Sequence, residues 1–171
     1  QLEAHLFQLQ HDLRSFSYTP GPYRQFEIRD PKRRLISAAP YRDRVVHHAL
    51  CAALVPPLQA RFPPTSYANR RGYGSHKALR RFVLECGRNR WVLSADIRLY
   101  FPSIDLLLLR QQLADCIACP GTLWLLDRIL ANGACSGPAI DAFPGDSLLT
   151  PLQRPRGLPI GNLTSRSEEH T

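Results

Sequence analysis

Residues 92–105 constrain the fold more than any other stretch, because they carry a short apolar run into an aspartate and then into two aromatic residues. Val92-Leu93-Ser94-Ala95 reads as a buried strand, and Asp96 follows it directly. Such a strand holds a carboxylate at the edge of a sheet, where Mg²⁺ can bridge it to phosphate groups. The pattern therefore predicts Asp96 as a catalytic, metal-binding residue. The alternative is a structural capping acid, since many α/β proteins end a strand in aspartate.

Charge is divided unevenly along the 171 residues, whose net charge is +8. Residues 20–60 carry 7 Lys and Arg against 3 acids, and residues 61–90 carry 8 against 1. From residue 91 onward there are 6 against 8. This division is expected if the first half binds a polyanion and the second half binds metal. The alternative is a solvated, arginine-rich surface.

Cysteine usage and hydropathy indicate a cytoplasmic protein with free thiols. The five cysteines form an odd set, and we find neither a signal peptide nor an apolar run of membrane-spanning length. Cys116-x-x-Cys119 is a single pair, which favours ordinary buried cysteines over zinc or redox chemistry. The chain has no methionine, and we expect both of its ends to be cut.

Apolar spacing and chain breakers predict several helices around one β-hairpin. Helices are expected over residues 1–16, between Pro40 and a stop or kink at Pro56-Pro57, after a Ser75 cap, and over residues 106–116 and 123–130. A hairpin with a basic tip is expected from strands at 23–28 and 33–37 around a turn at 30–32. Residues 61–75 are expected to form a loop, as are residues 133–156.

Four segments follow one another along the chain in a fixed order. They are Asp30-Pro31-Lys32-x-Arg34-Leu35-Ile36 with Pro40 and Asp43-Arg44-Val45-Val46, Ser66-Tyr67-Ala68 through Gly74, Ser94-Ala95-Asp96-Ile97-x-x-Tyr100-Phe101-Pro102-Ser103-Ile104, and Gly157-Leu158-Pro159-Ile160-Gly161-Asn162-Leu163-Thr164-Ser165. In this order the segments resemble the bacterial reverse transcriptases of group II introns, retrons and diversity-generating elements. The resemblance covers residues 23–165 and is closest to the diversity-generating type at residues 43–50 and in the Gly-Leu-Pro-Ile-Gly-Asn run.

The resemblance implies an α+β right-hand polymerase fold with fingers and a partial palm. It divides the chain into an N-terminal helical extension (1–22), fingers (23–90), a partial palm (91–165) and a non-native tail (166–171). It also implies RNA-directed DNA polymerase activity, in which a primer is extended with dNTPs on an RNA template by two-metal phosphoryl transfer. The implied cofactor is a pair of Mg²⁺ ions, with Mn²⁺ as the alternative. The implied partners are the RNA template, a DNA or RNA primer and dNTPs, with an accessory protein or structured RNA left open and no membrane.

Individual residues take their expected roles from the same resemblance. Asp96 and the backbone carbonyl of Ile97 are expected to bind metal, and Phe101 to exclude the 2′-hydroxyl of a ribonucleotide. Residues expected to bind the nucleotide are Lys32, Arg33, Arg34, Pro159, Ile160 and Gly161, with Arg33 and Arg34 left unranked. Residues expected to bind the nucleic-acid backbone are Arg70, Arg71, Gly72, Gly74 and Lys77.

Several residues are expected to have structural roles instead. Arg44 is expected to pair with Asp43 or a helix end, Asp105 to be an N-cap, and Tyr100 to lie in the core. His47, His48 and His76 are expected to be packed or exposed rather than catalytic.

The resemblance also sets a limit on the chain's own activity. The family carries two further aspartates in a downstream Tyr-x-Asp-Asp hairpin, so this chain alone is expected to be inactive. The alternative function is a non-catalytic RNA- or DNA-binding module derived from the fingers, and template-independent or defence-associated relatives of the same enzymes form a third possibility.

Overall fold

The computed structural model describes residues 2–29, 33–98, 100–133, 147 and 154–159. Its strands are β1 (Arg24–Arg29) and β2 (Arg33–Ala38). Its helices are α1 (Leu2–Arg14), α2 (Tyr41–Gln59), α3 (Ser75–Cys86), α4 (Tyr100–Ser103), α5 (Leu106–Ala114) and α6 (Pro120–Gly133). In the described ranges, every helix is too short or too polar to cross a membrane.

The β-hairpin confirms the alternating pattern of its sequence. β1 and β2 pair antiparallel, with Phe26 opposite Ile36 and Ile28 opposite Arg34. Because side chains alternate between the two faces of a strand, this register puts Arg34 on the face that carries Phe26 and Ile28. Arg33 lies on the other face. The turn at 30–32 that was expected to join the strands lies outside the described residues.

The hydrophobic core lies where α1, α2, α5 and α6 meet. Each of these helices has a side that repeats apolar residues every three or four positions, and burial of that side stabilises the group. The core residues are Leu9, Tyr18, Val46, Leu50, Leu106, Ile117, Leu126, Ile129 and Leu130. α1, α5 and α6 confirm the helices expected there, with ends that differ by a few residues.

α2 continues past the two prolines where the sequence predicted a stop or a kink, so the expected stop is wrong. Pro56 and Pro57 lie inside the helix, which ends at Gln59. Proline's fixed φ is compatible with a helix, and its cost is a lost N–H donor and a clash with the preceding turn. Val46 and Leu50, which lie nearer the start of α2, are buried, so tertiary packing supports the helix as a whole.

The strand that the sequence predicted over residues 92–95 does not form. Residues 91–97 have no regular secondary structure and pair with no strand among the described residues. Trp91 and Leu93 are each 90% exposed, so the segment is not buried either. A strand needs a neighbour to bond its N–H and C=O groups, and the two strands of the described sheet pair with each other.

The expected right-hand polymerase fold with fingers and a partial palm is therefore wrong for this structure. The described part of the chain contains six helices and one two-stranded antiparallel hairpin. A palm needs a sheet that carries the acid-bearing strand, and Asp96 follows an unpaired segment instead. The apolar composition before Asp96 is typical of a buried strand, but it does not specify a partner strand. Pairing depends on residues far away in the chain.

Local caps and contacts correct three smaller expectations. α3 begins after Gly74, which makes no side-chain cap, so Ser75 is not the capping residue. Tyr100 is 51% exposed and does not lie in the core. Arg44 does not pair with Asp43, the first of its two expected partners; its guanidinium lies 5.6 Å from the centre of the Tyr41 ring, in the first turn of α2. Asp43 is instead buried and accepts hydrogen bonds from Tyr18 and Gly21.

Candidate functional site

A short C-terminal segment, residues 154–159, joins the Phe101–Asp105 region. Asp105 begins α5 as its N-cap and accepts hydrogen bonds from the N–H groups of Leu107 (2.9 Å) and Leu108 (3.1 Å), as expected. Its second carboxylate oxygen lies 3.0 Å from Nε of Arg154. One acid thus caps a helix and holds the returning segment. The sequence revealed the cap but gave no signal for the distant arginine.

The same segment carries Pro159 close to Phe101, two residues that were expected to bind a nucleotide. The N–H of Leu158 donates to the carbonyl of Phe101 at 3.0 Å, and the N–H of Gly157 donates to that of Ile104 at 2.9 Å. Gly157 has a φ of 84°, a conformation that favours glycine. The backbone therefore fixes the two regions against each other. Ile160 and Gly161 lie outside the described residues.

The end of α6 lies directly against the Pro159 ring. A Cβ built on Gly133 would lie 2.8 Å from Cδ of the Pro159 ring and 3.1 Å from its Cγ. Both residues are buried. The close approach therefore depends on the missing side chain at Gly133.

Asp96 is exposed, and its carboxylate has no cationic partner among the described residues. Its one hydrogen bond is local, from the N–H of Ile97 to Oδ1 at 3.0 Å. Many other acids of the described chain are bound: Asp12 to Arg42, Glu27 to Arg33, Glu85 to Arg81, Asp105 to Arg154 and Asp127 to Arg110. Asp96 is thus an accessible carboxylate in a strongly basic chain.

Asp96 suits one ligand position of a magnesium site but does not make a site alone. Carboxylate oxygen is a ligand that Mg²⁺ prefers, and the Ile97 carbonyl is adjacent in sequence. Within the described ranges, no group of three His, Cys, Asp or Glu residues is placed to hold a metal. A two-ion centre needs several carboxylates, so its other ligands would have to come from outside these residues.

The two arginines at the start of β2 differ in whether their guanidinium groups are paired with an acid. Arg33 donates a hydrogen bond of 2.8 Å to Glu27 across the strands, which partly neutralises it. Arg34 is exposed, and its guanidinium forms no hydrogen bond or ion pair among the described residues. Arg34 is therefore the cation that remains available to an anionic ligand. Lys32, the third expected cation, lies outside the described residues.

Residues 63–74 form a loop and residues 75–77 begin α3. In this region, here called the 63–77 loop, two cations surround one tyrosine. The Arg70 guanidinium and the Lys77 ammonium each lie 4.0 Å from the centre of the Tyr73 ring. Tyr67 lies beside that ring at 5.8 Å between centroids. The N–H of Gly74 donates to the carbonyl of Tyr67 at 3.1 Å and closes the loop.

The glycines of this loop leave space beside the backbone. Gly72 has a φ of 76° and Gly74 a φ of 111°, and a Cβ at either would meet nothing within 4 Å. These conformations explain why glycine suits both positions. Arg71, which lies between Arg70 and Gly72 in sequence, is exposed. The sequence identified the cations and the glycines here, but it gave no role to Tyr73.

The structure brings together some of the expected site residues and not others. Phe101 is joined to the segment that carries Pro159, and Arg70 is joined to Lys77 through Tyr73. Among the described residues, Asp96 and Phe101 form no hydrogen bond or ring contact with the hairpin or with the 63–77 loop.

The histidines and cysteines give no second site in the described chain. His47 is buried while His48 and His76 are exposed, and burial lowers the pKa of His47. Cys116 is half-buried, but Cys119 is exposed, which corrects the expectation that both are buried. Hydrogen bonding from Thr122 lowers the pKa of the Cys119 thiol.

Comparison with known proteins gives a distant relative. No protein-family model matches the chain. The chain is similar to Protein YkfC of Escherichia coli (strain K12), with 28% identity over 163 residues. The match covers 89% of this chain and 43% of the relative. The chain thus spans less than half the length of the curated protein that it matches.

Proposed function

We propose that this chain is a segment of an RNA-directed DNA polymerase of the retroelement type, and that Asp96 supplies one of its metal-binding carboxylates. The observation that carries the proposal is the state of Asp96, whose carboxylate is exposed and has no cationic partner among the described residues. A carboxylate neutralised by arginine could not serve a metal in the same way. The ordered series of four reverse-transcriptase-like segments around Asp96 adds support.

The reaction would join a primer to a deoxynucleotide. The 3′-hydroxyl of the primer attacks the α-phosphate of a dNTP, and pyrophosphate leaves. Bound Mg²⁺ would supply positive charge beside the reacting phosphate. This chain would contribute the Asp96 ligand, the Arg34 guanidinium for the triphosphate and the Phe101 ring against the sugar.

The decisive test uses the longest protein that the source locus encodes, purified with and without the change Asp96→Asn. Primer extension on an RNA template should fall by a factor of about 10³ or more, as expected for loss of a ligand that acts on the transition state. Binding of the template–primer duplex should change by less than about twofold, because one charge is removed from an exposed position. Asp115→Asn is the matched control, since Asp115 is also an exposed acid.

Extension that survives Asp96→Asn would refute the role of Asp96. Absence of any extension by the unaltered protein, with RNA binding intact, would favour the second candidate function.

The second candidate is a nucleic-acid-binding module without catalysis. The Arg70–Tyr73–Lys77 arrangement favours it, because two cations held by a tyrosine can bind a polyanion without any metal. The two candidates share this basic surface, so binding alone does not separate them. Extension of a primer does.

A further inference from the structure

We infer that Arg154 is a positioning residue for Phe101, the residue expected to select the sugar in the proposed polymerase. The ion pair of Arg154 with Asp105 holds the 154–159 segment against α4, and this contact sets how strictly ribonucleotides are excluded. The inference rests on the proposed function and adds a residue that the sequence patterns did not single out. Arg154 acts through the backbone of the segment, and we assign it no contact with the nucleotide.

The ion pair between Arg154 and Asp105 is largely shielded from solvent. Nε of Arg154 lies 3.0 Å from Oδ2 of Asp105, and the two side chains are 12% and 18% exposed. The pair of Arg110 with Asp127 has the same Nε–Oδ distance of 3.0 Å, but both of its side chains are 45% exposed. Because solvent and salt weaken exposed pairs most, loss of the Arg154–Asp105 pair should disturb its surroundings more.

Asp105 divides its two carboxylate oxygens between a helix cap and Arg154. Oδ1 accepts the N–H groups of the second and third residues of α5. The N–H of Leu106, the first residue of α5, donates to the carbonyl of Pro155 at 3.1 Å. Since the first N–H groups of a helix have no partner within it, the 154–159 segment completes the cap that Asp105 begins. The segment is thus fixed to α5 at two adjacent residues.

The same segment holds Phe101 through α4, a helix of four residues. The N–H of Leu158 donates to the carbonyl of Phe101 at 3.0 Å, and the N–H of Gly157 donates to that of Ile104 at 2.9 Å. A single helical turn is marginal in isolation, because few hydrogen bonds offset the cost of ordering it. The position of Phe101 therefore depends on the segment that bonds its carbonyl, and the segment depends on Arg154.

Exclusion of a ribonucleotide by an aromatic ring depends on small distances. The ring must stand in van der Waals contact with the sugar, and a shift of about 1 Å is enough to change such a contact substantially. Without the ion pair of Arg154, the Phe101 backbone gains freedom, and its ring should exclude the 2′-hydroxyl less strictly. Use of deoxynucleotides should change less, since the smaller sugar fits in either case.

The first test measures amide hydrogen exchange in this chain by NMR, which needs no catalysis. In Arg154→Gln, the N–H groups of Gly157 and Leu158 should exchange about tenfold faster or more, because the segment opens locally more often. Arg154→Lys keeps the charge and should recover part of the protection. Arg110→Gln is the matched control and should leave both N–H groups unchanged, since its ion pair is exposed.

Asp105→Asn removes the charge from the other side of the pair. Asparagine caps helices about as well as aspartate. The N–H groups of Leu107 and Leu108 should therefore stay protected, while those of the 154–159 segment exchange faster. If Asp105→Asn loses the cap, Arg154→Gln still decides the question, because it leaves the capping carboxylate in place.

The second test measures sugar selection in the longest protein that the source locus encodes. The ratio of kcat/KM for dNTPs to kcat/KM for rNTPs should fall about threefold to tenfold in Arg154→Gln, and by more in Phe101→Ala. A purely structural loss lowers both values together and leaves their ratio unchanged. Arg154→Lys should restore part of the ratio, and Arg110→Gln should keep it.

Three results would overturn the inference. Unchanged exchange at Gly157 and Leu158 in Arg154→Gln would show that the ion pair does not hold the segment. Faster exchange with unchanged sugar selection, in a protein where Phe101→Ala does alter selection, would show that the segment does not position the ring. Unchanged selection in Phe101→Ala would leave no sugar-selecting ring for Arg154 to position.

Failure here is distinguishable from failure of the proposed function. If the longer protein extends primers and Phe101→Ala alters sugar selection, the proposed function stands whether or not Arg154→Gln has an effect. If the longer protein extends no primer, the polymerase assignment fails and takes the role of Arg154 in sugar selection with it. The exchange measurement then decides the structural contact alone.

Discussion

The hydroxyl of Tyr18 donates a hydrogen bond of 2.8 Å to Oδ1 of Asp43, and both side chains are almost fully buried. The other oxygen, Oδ2, accepts the N–H of Gly21 at 2.7 Å. Burial, aided by this hydrogen bond, raises the pKa of Tyr18. Asn132 of α6 donates to the carbonyl of Gly21 at 3.0 Å. One carboxylate therefore ties the segment after α1 to α2, and the same glycine continues the link to α6.

Removal of this carboxylate should destabilise the fold strongly. We expect Asp43→Ala to lower the free energy of unfolding by about 3 kcal/mol, because it leaves the buried Tyr18 hydroxyl and the part-buried Gly21 N–H without an acceptor. Tyr18→Phe removes a single bond and should cost about 1.5 kcal/mol. Urea unfolding measures both changes, and the double variant should cost less than their sum because the residues share one interaction.

Asp127→Asn is the control for that series. Asp127 pairs with Arg110 at an exposed position, where solvent weakens ion pairs. Its effect should be much smaller than that of Asp43→Ala. Equal effects would show that burial of the Tyr18–Asp43 pair adds nothing to stability.

His47 should make the fold sensitive to mild acid. Its side chain is 2% exposed, and its Nδ1 has no hydrogen-bond partner within the described part of the chain. Burial lowers the pKa of His47 from 6.5, although the nearby Asp43 opposes the shift. Below pH 6.5, His47 therefore binds a proton more readily in the unfolded chain than in the folded chain. The free energy of unfolding should fall as the pH drops from 6.5 towards the folded pKa, by at most about 1.4 kcal/mol per pH unit.

The variants His47→Leu and His48→Gln separate this effect from general acid sensitivity. His48 is adjacent but exposed. Thermal unfolding across pH 5 to 7, a window set by the ordinary histidine pKa of about 6.5, should show a reduced pH dependence in His47→Leu alone. An unchanged profile in that variant would assign the acid sensitivity to other groups.

Gly133→Ala should disturb the segment that carries Pro159. The new Cβ would lie 2.8 Å from the proline ring, which cannot rotate away as a flexible side chain can. We expect a loss of about 1 to 3 kcal/mol despite the better helix propensity of alanine. Gly87→Ala is the control, because its Cβ would meet nothing closer than 3.5 Å. If Gly133→Ala is as stable as Gly87→Ala by urea unfolding, the contact is not tight in solution.

Phe101 offers a test of sugar selection within the proposed polymerase. In the longer protein, Phe101→Ala should raise incorporation of ribonucleotides relative to deoxynucleotides, because the ring no longer fills the space beside the 2′ position. The hydrogen bond from Leu158 reaches the Phe101 backbone and survives the change. Tyr100→Ala is the matched control, since the Tyr100 ring packs edge-on against Phe101 at 5.3 Å. Unchanged selection in Phe101→Ala primer-extension assays would remove the steric role.

Local sequence determined the elements whose stabilising contacts are short in range. The hairpin follows from alternation in residues 24–38, and α5 from the Asp105 side chain that caps its own first turn. The cations of the 63–77 loop and the acid at position 96 are also visible without a structure. In the hairpin and at the start of α5 the residues that interact lie close in sequence, the most distant pair being Arg24 and Ala38, so the local pattern carries the interaction.

Tertiary structure alone decided the contacts between distant residues. Residues 92–95 have the composition of a strand, but a strand forms only when a second segment bonds its backbone, and no local pattern specifies that partner. Packing likewise joined Asp43 to Tyr18, Arg154 to Asp105, and the Phe101 backbone to Leu158. The sequence therefore determined which chemical groups this protein carries, while long-range packing decided which are buried in pairs and which, like Asp96, stay accessible.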